Sequence, residues 1–384
     1  MRLSQIKLNI SHTRNVYIRR NRRFSQDLYC GFDHPSDENI VTLRSVLIYF
    51  YNTEKPDKLS GDNIMEKPKG HAIVIGASNL DIKGHTTSYH VAKTSNPGIV
   101  STTAGGVGRN IAENLARMGA ESILLSAVGN DMYGKQILDV TGKAGVNLEH
   151  IIISPEQRTG IFLALLDHYG DLVSAISDLD IIKILTPEYI NQNISLLESA
   201  AFVILDADVP SRTLQFCLRK CREHNIPACV EPISVAKAKQ IIPYLDQISM
   251  VTPNREEAEV LAGFPLRSGS DIRRAGETLL DKGIKYVIIT LGPEGALIAS
   301  NDENGQKQVE FLPSISTVVT DTVGAGDALT SGTICGLMSG LNFKKSVERG
   351  ILCATLTLQT NKAVNPELTL ERLEQLKKSA ASPY

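Results

Sequence analysis

The chain lacks a strong excess of either charge. Its 40 lysines and arginines stand against 42 aspartates and glutamates over 384 residues, a formal net charge of −2. A chain that tracks nucleic acid carries a basic field, so this balance speaks against such a partner. No apolar run approaches the ~18 residues that would mark a membrane span, and no membrane contact is expected. Six cysteines (Cys30, Cys217, Cys221, Cys229, Cys335, Cys353) include no Cys-x-x-Cys pair and no neighbouring histidine cluster. A zinc site is therefore disfavoured, and reduced, buried thiols in an intracellular protein are expected. The glycine loops lack both the Gly-x-Gly-x-x-Gly spacing of dinucleotide sites and the Gly-Lys-Ser/Thr of a P-loop. What remains is ordinary for a globular chain: 42% hydrophobic and 21% charged residues, long enough for one large α/β domain or two small ones.

Acidic residues are also missing from one stretch. Residues 1–26 hold seven cations (Arg2, Lys7, Arg14, Arg19, Arg20, Arg22, Arg23) and no Asp or Glu. That composition is that of a mitochondrial transit peptide, or of a basic tail without further consequence. Residues 44–51 are apolar but isolated, and 52–70 read as a polar linker. The sequence thus divides into a basic, poorly ordered extension over 1–70 and a folded domain over 71–380.

From His71 onward, buried strands and amphipathic helices alternate. Strands are expected at 72–76, 122–128, 148–154, 202–206, 228–231, 248–252 and 286–291. Helices are expected near 105–118, 131–143, 187–199, 211–224, 256–261, 271–282, 325–339, 343–359 and 369–379. This rhythm implies an α/β fold with a mostly parallel sheet and helices on both faces. Two extended pieces, 81–103 and 160–177, have no place in it. The second is broken by His168-Tyr-Gly-Asp171 and reads as a hairpin. Together they predict a small β-sheet lid.

The most informative stretch is Asp321-Thr-Val-Gly-Ala-Gly-Asp-Ala-Leu329, followed by a small, apolar helical run. Glycines at a helix N-terminus let an anion approach unpaired backbone N–H groups. Asp327, in the first turn, could take a proton from a hydroxyl attacking a bound phosphate. Four other motifs carry weaker signals. Gly105-Gly-Val-Gly-Arg-Asn110 is a loop into a helix that packing alone could explain. Asn79-Leu-Asp81 follows the first strand, where Asp81 could bind a pair of ribose hydroxyls or cap a turn. Asn254-Arg-Glu-Glu257 could hold hydrated Mg²⁺ or form a capping box. Thr290-Leu-Gly-Pro-Glu-Gly295 ends a strand in a turn open enough for a nucleotide.

These five motifs, in this order, resemble the ribokinase-like (PfkB) carbohydrate and nucleoside kinases, over roughly residues 71–378. Ala104–Gly129 looks like the family's first signature and Asp321–Ile334 like its second. Residues 105–119, Glu231-Pro-Ile-Ser234 and the segment near Asp171–Asp180 resemble the pseudouridine kinase branch. The resemblance implies ATP-dependent phosphorylation of the 5′-hydroxyl of pseudouridine, or of another ribonucleoside or ribose. A reading from a different class is a non-catalytic scaffold or sensor that binds nucleotide. Carried over by matched position, Asp327 is the general base. The amides of Gly324, Ala325, Gly326 and Asp327 form an anion hole. Asn79, Asp81, Gly105, Gly106 and Asn110 hold the ribose. Asn254, Thr290, Gly292, Gly295 and Asn361 flank ATP, and Asn254 with Glu257 organises Mg²⁺ through water. Asp321 and Val323, with Ala363 and Asn365 opposite, are candidates for a monovalent cation such as K⁺. The family's lids often pair between subunits, so the resemblance allows a homodimer; an intracellular place is expected, cytoplasmic or, from the Arg-rich, acid-free N-terminus, mitochondrial.

Overall fold

A computed structural model of the chain describes residues 66–381 together with Lys7–Leu8, Val16–Arg20 and Leu28–Gly31. Chain contacts divide it into two units, Met1–Asp62 and Asn63–Tyr384. In the first unit the three short segments form an antiparallel sheet, with Val16–Arg20 in the middle. The basic stretch 1–26 otherwise falls outside the described residues, as do the apolar run 44–51 and most of 52–70.

The second unit is built on an eight-stranded sheet. Its spatial order is Lys307–Leu312, Ala296–Asn301, Tyr286–Thr290, Met250–Val251, Ala228–Glu231, Phe202–Asp206, His71–Ile75 and Glu121–Leu125. The last six run parallel. The first two join antiparallel at one edge. The interior strands are Val-, Ile- and Leu-rich and buried along their length, as a sheet covered on both faces requires. Each face has its own core. Ile73, Ile75, Val203 and Leu205 pack toward the helices Ser211–Glu223, Val235–Ile241 and Gly269–Asp281. Val74, Ile204 and Leu124 pack toward Val107–Arg117, Ala325–Met338 and Phe343–Thr357. Alternate residues of one strand thus serve opposite faces.

Several boundaries differ from those the sequence suggests. The apolar stretch 122–128 is two strands, because Ala127–Gly129 leaves the main sheet and pairs with Ile152–Ser154. The helix over 187–199 is interrupted at Asn193, which caps the second piece. The hairpin Ala296–Asn301 to Lys307–Leu312 was not anticipated. It follows the Gly292–Gly295 turn at once, so its apolar residues read as the continuation of a loop.

A second, four-stranded sheet stands apart from this layer. Its order is Leu172–Asp178, Gly160–Leu166, Asn79–Thr86, Gly98–Gly105. The expected hairpin is present, with Leu163 opposite Ile176 and a register shift at Leu165/Leu166. Asn79–Thr86 is central, parallel to one neighbour and antiparallel to the other. Among the described residues no helix is long and apolar enough to cross a membrane.

Candidate active site

The parallel strands deliver their carboxyl ends to one edge of the main sheet, where ligands bind in open α/β folds. Asp206 and Glu231 close two strands, Asn254 follows a third and Thr290 ends a fourth. The strand His71–Ile75 leads through Gly76–Ser78 directly into Asn79 and the small sheet.

Asp206 joins the first motifs. Its fully buried carboxylate accepts from the backbone N–H of Ala77 at 2.7 Å and of Gly108 at 3.0 Å. One side chain therefore ties the turn before Asn79 to the glycine loop. The glycines there are forced by close approach. A Cβ on Gly105 would collide with the Asp81 carboxylate, and one on Gly106 (φ 96°) with the carbonyl of Ala77. Asn79 Nδ2 donates to Asp81 Oδ1 at 2.6 Å. Burial raises the Asp81 carboxyl, against the lowering effects of Asn79, Arg109 and Lys83.

Arg109, the first residue of the motif after its glycines, is buried and spent on structure. It donates to the carbonyls of Ala104 and Gly105, to the Glu113 carboxylate and to Asn110 Oδ1. With its oxygen so engaged, Asn110 turns its amide N–H₂ outward, and Nδ2 donates to Asp327 Oδ2 at 2.7 Å.

Asp327 lies in the first turn of the helix Ala325–Met338. Gly324 occupies the N-cap at φ 81°, with no side chain capping the helix. A Cβ there would strike the carbonyl of Ala363, whereas one on Gly326 would meet open space. The first-turn amides therefore face an open approach at the positive end of a helix, the arrangement that receives an anion. The helix field favours a charged Asp327, and so do Asn110 and Arg109. Burial outweighs these two side chains and pushes the Asp327 carboxyl up to about 6, with Asp81 adding to the rise.

Beyond this helix lies Glu231. Its Oε2 accepts from the hydroxyls of Thr252 and Thr330, the latter at 3.1 Å. Burial, reinforced by the charges of Asp327 and Glu257, pushes it up to about 8. Asn254 and Glu257 form a capping box. Asn254 Oδ1 accepts from Glu257 N at 2.9 Å, and Glu257 Oε2 accepts from Asn254 N at 3.0 Å. The capping-box reading of that motif is thus present in the structure, and the other carboxylate oxygen of Glu257 takes no part in the box. Thr290 lies alongside through a bridge to Asn254, and its N–H donates to Pro253. Gly292 and Gly295 shape the following turn at φ 58° and 96°, and Arg255 pairs with Glu294 of that turn at 3.1 Å. Asn361 is exposed in the segment after Phe343–Thr357.

Asp321 opens the second signature. Its Oδ1 accepts from Val323 N at 3.0 Å, and Oδ2 from Lys83 Nζ at 2.5 Å. Lys83, Arg109 and the Thr252–Thr330 pair took no part in the sequence-derived site. Glu231 was noticed only as part of a resemblance. A surface cleft of about 540 Å³ lined by Glu156, Arg158, Asp178 and Lys183 shares no residue with the site.

The family model described as pfkB family carbohydrate kinase matches residues 69–370. The pseudouridine kinase of Escherichia coli (strain K12) is 32% identical over 314 residues, covering 82% of this chain and 98% of that protein. The guanosine-inosine kinase of Exiguobacterium acetylicum is 28% identical, covering 77% and 97%. Among solved structures, a putative sugar kinase from Clostridium perfringens superposes with a TM-score of 0.70 at 28% identity, covering 81% of this chain and 96% of that one.

Proposed function

Since the chain belongs to the pfkB family of carbohydrate kinases, phosphotransferases acting on a sugar or nucleoside hydroxyl, we propose that it transfers the γ-phosphoryl group of ATP to the 5′-hydroxyl of pseudouridine. The observation that carries the chemistry is the buried Asp327, hydrogen-bonded to Asn110 at the foot of an uncapped helix N-terminus. The observation that favours this nucleoside is the 32% identity to the E. coli pseudouridine kinase.

In this reading Asp81 and Asn79 bind the ribose hydroxyls, beside Gly105, Gly106 and Asn110. Asp327 accepts the proton of the 5′-hydroxyl as it attacks. The charge that develops on the phosphoryl oxygens is met by the amides of Gly324, Ala325, Gly326 and Asp327, fixed before reaction begins. Thr290, Gly292 and Gly295 line the nucleotide, with Asn361 at its outer side. The four-stranded sheet acts as a lid that excludes water, which competes with the alcohol for the phosphoryl group.

Among the described residues no three His, Cys, Asp or Glu side chains converge to hold a metal directly, so a magnesium ion would be held through water. The charges of Asp327 and Glu257 both raise the Glu231 carboxyl, and the hydrogen bonds that Glu231 and Glu257 accept come from hydroxyls and a backbone N–H. Glu257 would hold the ion through water beside Asn254, where it would neutralise phosphate charge. A monovalent cation fits less well. Both oxygens of Asp321 are engaged, and Asn365 donates its amide to the carbonyl of Leu356 at 2.6 Å. That role stays outside the proposal.

The exposed apolar residues of the small sheet, Ile99, Val100, Leu172 and Ile176, support a homodimer. Five free, buried cysteines and a need for ATP support a place inside the cell. The comparisons lend no support to a mitochondrial address.

A second substrate reading, phosphorylation of a purine ribonucleoside, draws on the 28% identity to the guanosine-inosine kinase. Turnover measured on pseudouridine, uridine, inosine, guanosine, adenosine and ribose tests both. Pseudouridine should give the highest kcat/KM, and a poor rate on it alone among the panel would sink the specific claim. Nucleotide binding without transfer to any acceptor would instead favour a non-catalytic sensor.

A further inference from the structure

We propose that Lys83 supplies the cation that meets the terminal phosphate of the bound nucleotide, and that its ion pair with Asp321 is the resting position from which it moves. The inference rests on the phosphotransferase reading above.

Lys83 follows Asp81 by two residues on the central strand of the small sheet, so both side chains leave the same face. Asp81 feels the charge of Lys83 directly. The ammonium reaches across to the other signature, 2.5 Å from Asp321 Oδ2. Asp321 stands three residues before Gly324, where the uncapped helix begins. Lys83 thus spans the gap between the sugar-binding carboxylate and the amides assigned to the anion.

The charge inventory of this region calls for such a group. Asp81, Asp327, Glu231 and Glu257 all carry carboxyls raised by burial. A triphosphate entering among them adds more negative charge. The cations that Asp327 and Asp81 feel are Arg109 and Lys83. Arg109 is 1% exposed and committed to Glu113, Asn110 and two carbonyls, so it cannot turn to a ligand. Lys83 has one partner, at a pair whose side chains are 18% and 23% exposed. A lysine's four-carbon stem allows its ammonium to swing from one oxygen to another. A phosphate oxygen, more highly charged than one carboxylate, would draw it over the glycine turn and bring the small sheet with it.

The alternative is a latch, in which Lys83 and Asp321 only hold the small sheet in place. Binding of ATP, ADP and pseudouridine to the full chain with Mg²⁺, together with kcat, separates the two for Lys83→Met, Lys83→Arg and Asp321→Asn. The Asn variant keeps an oxygen for Val323 N while losing the charge. Lys83→Met should weaken ATP about 10- to 100-fold, the worth of a charge-assisted contact, and leave ADP and pseudouridine within about twofold. Lys83→Arg should recover most of the loss, and Asp321→Asn should bind ATP at least as well as the parent. Equal losses for ATP, ADP and nucleoside, or an Asp321→Asn variant that copies Lys83→Met, would overturn the assignment in favour of the latch. A parent protein that phosphorylates no acceptor overturns the kinase reading instead, a result separable from either.

Discussion

Asn110 Nδ2 donates to Asp327 Oδ2 at 2.7 Å, although 217 residues of chain separate them. The contact joins the two glycine-bearing helices of the site, whose own packing forms part of the core on that face of the sheet. Its direction is not accidental. Arg109 donates to the oxygen of the Asn110 amide, leaving only the nitrogen to face the carboxylate. Glu113 in turn holds Arg109. The charge state and aim of Asp327 are therefore set by a chain of three side chains on the other helix.

Asp327→Asn keeps the shape and the hydrogen-bonding oxygen but removes the proton acceptor. We expect kcat to fall by about 10²–10⁴, the usual range for general acid–base catalysis. ATP and nucleoside affinities should change little. Steady-state kinetics with equilibrium binding on the same preparation check this, and a kcat within about tenfold of the parent would remove Asp327 from the base role.

The pH profile follows from the same contact. As the proposed base, Asp327 must be ionised, and burial pushes it up to about 6, so kcat/KM should climb through that region and level off above it. Asn110 lowers this value by stabilising the carboxylate. Asn110→Ala removes the donor, so the acidic limb should move to higher pH while KM for the nucleoside rises. An unmoved limb would show that another group controls the rate.

Much of this site is legible in the chain because its parts are local. The glycines and Asp327 lie within four residues, and the capping box Asn254–Glu257 is an i, i+3 pattern with a fixed geometry. The alternation of buried strands and helices gives the parallel sheet, since each element signals its own face. What the sequence does not reveal depends on long-range contact. Lys83 meets Asp321 across 238 residues, and an isolated lysine on a half-exposed strand carries no local signal. Glu231 becomes a strongly perturbed acid because the fold buries it beside Asp327 and Glu257, against the lowering effect of the Thr252 and Thr330 hydroxyls. Arg109 has its partners within five residues, Ala104, Gly105, Asn110 and Glu113, yet the burial that makes it a strut rather than a ligand is set by the fold around the motif.

The two glycines of the anion turn should respond differently to alanine. Gly324 sits at φ 81°, and a Cβ there meets the Ala363 carbonyl, so backbone must shift. Strain of this kind costs ~1–3 kcal/mol before the clash is counted. Gly324→Ala should lower both Tm and activity. Gly326 has no positive φ and open space around it. Gly326→Ala should melt with the parent yet lose activity, because in the proposed site its methyl stands where the phosphoryl group would approach. Thermal scans paired with rates distinguish the two, and a fully active Gly326→Ala would argue against an anion at that turn.

Glu231 supplies the last test, on stability rather than rate. Its ordinary value of 4.5 is raised to about 8 in the folded protein. Below pH 4.5 the group is protonated folded or unfolded and has no effect. Between 4.5 and about 8 the native state holds a proton that the unfolded chain releases, so stability falls as pH rises through this window. Glu231→Gln removes that cost, while its amide oxygen can still accept from Thr252 and Thr330. In ligand-free protein the variant should melt with the parent near pH 4.5 and above it near pH 8, by at most about 4 kcal/mol. In the proposed site, with a magnesium ion held near Glu257, the variant should also bind Mg²⁺·ATP more weakly, because a nearby negative charge is lost. A variant less stable than the parent at both pH values would show that hydrogen bonding, not buried charge, dominates at this position.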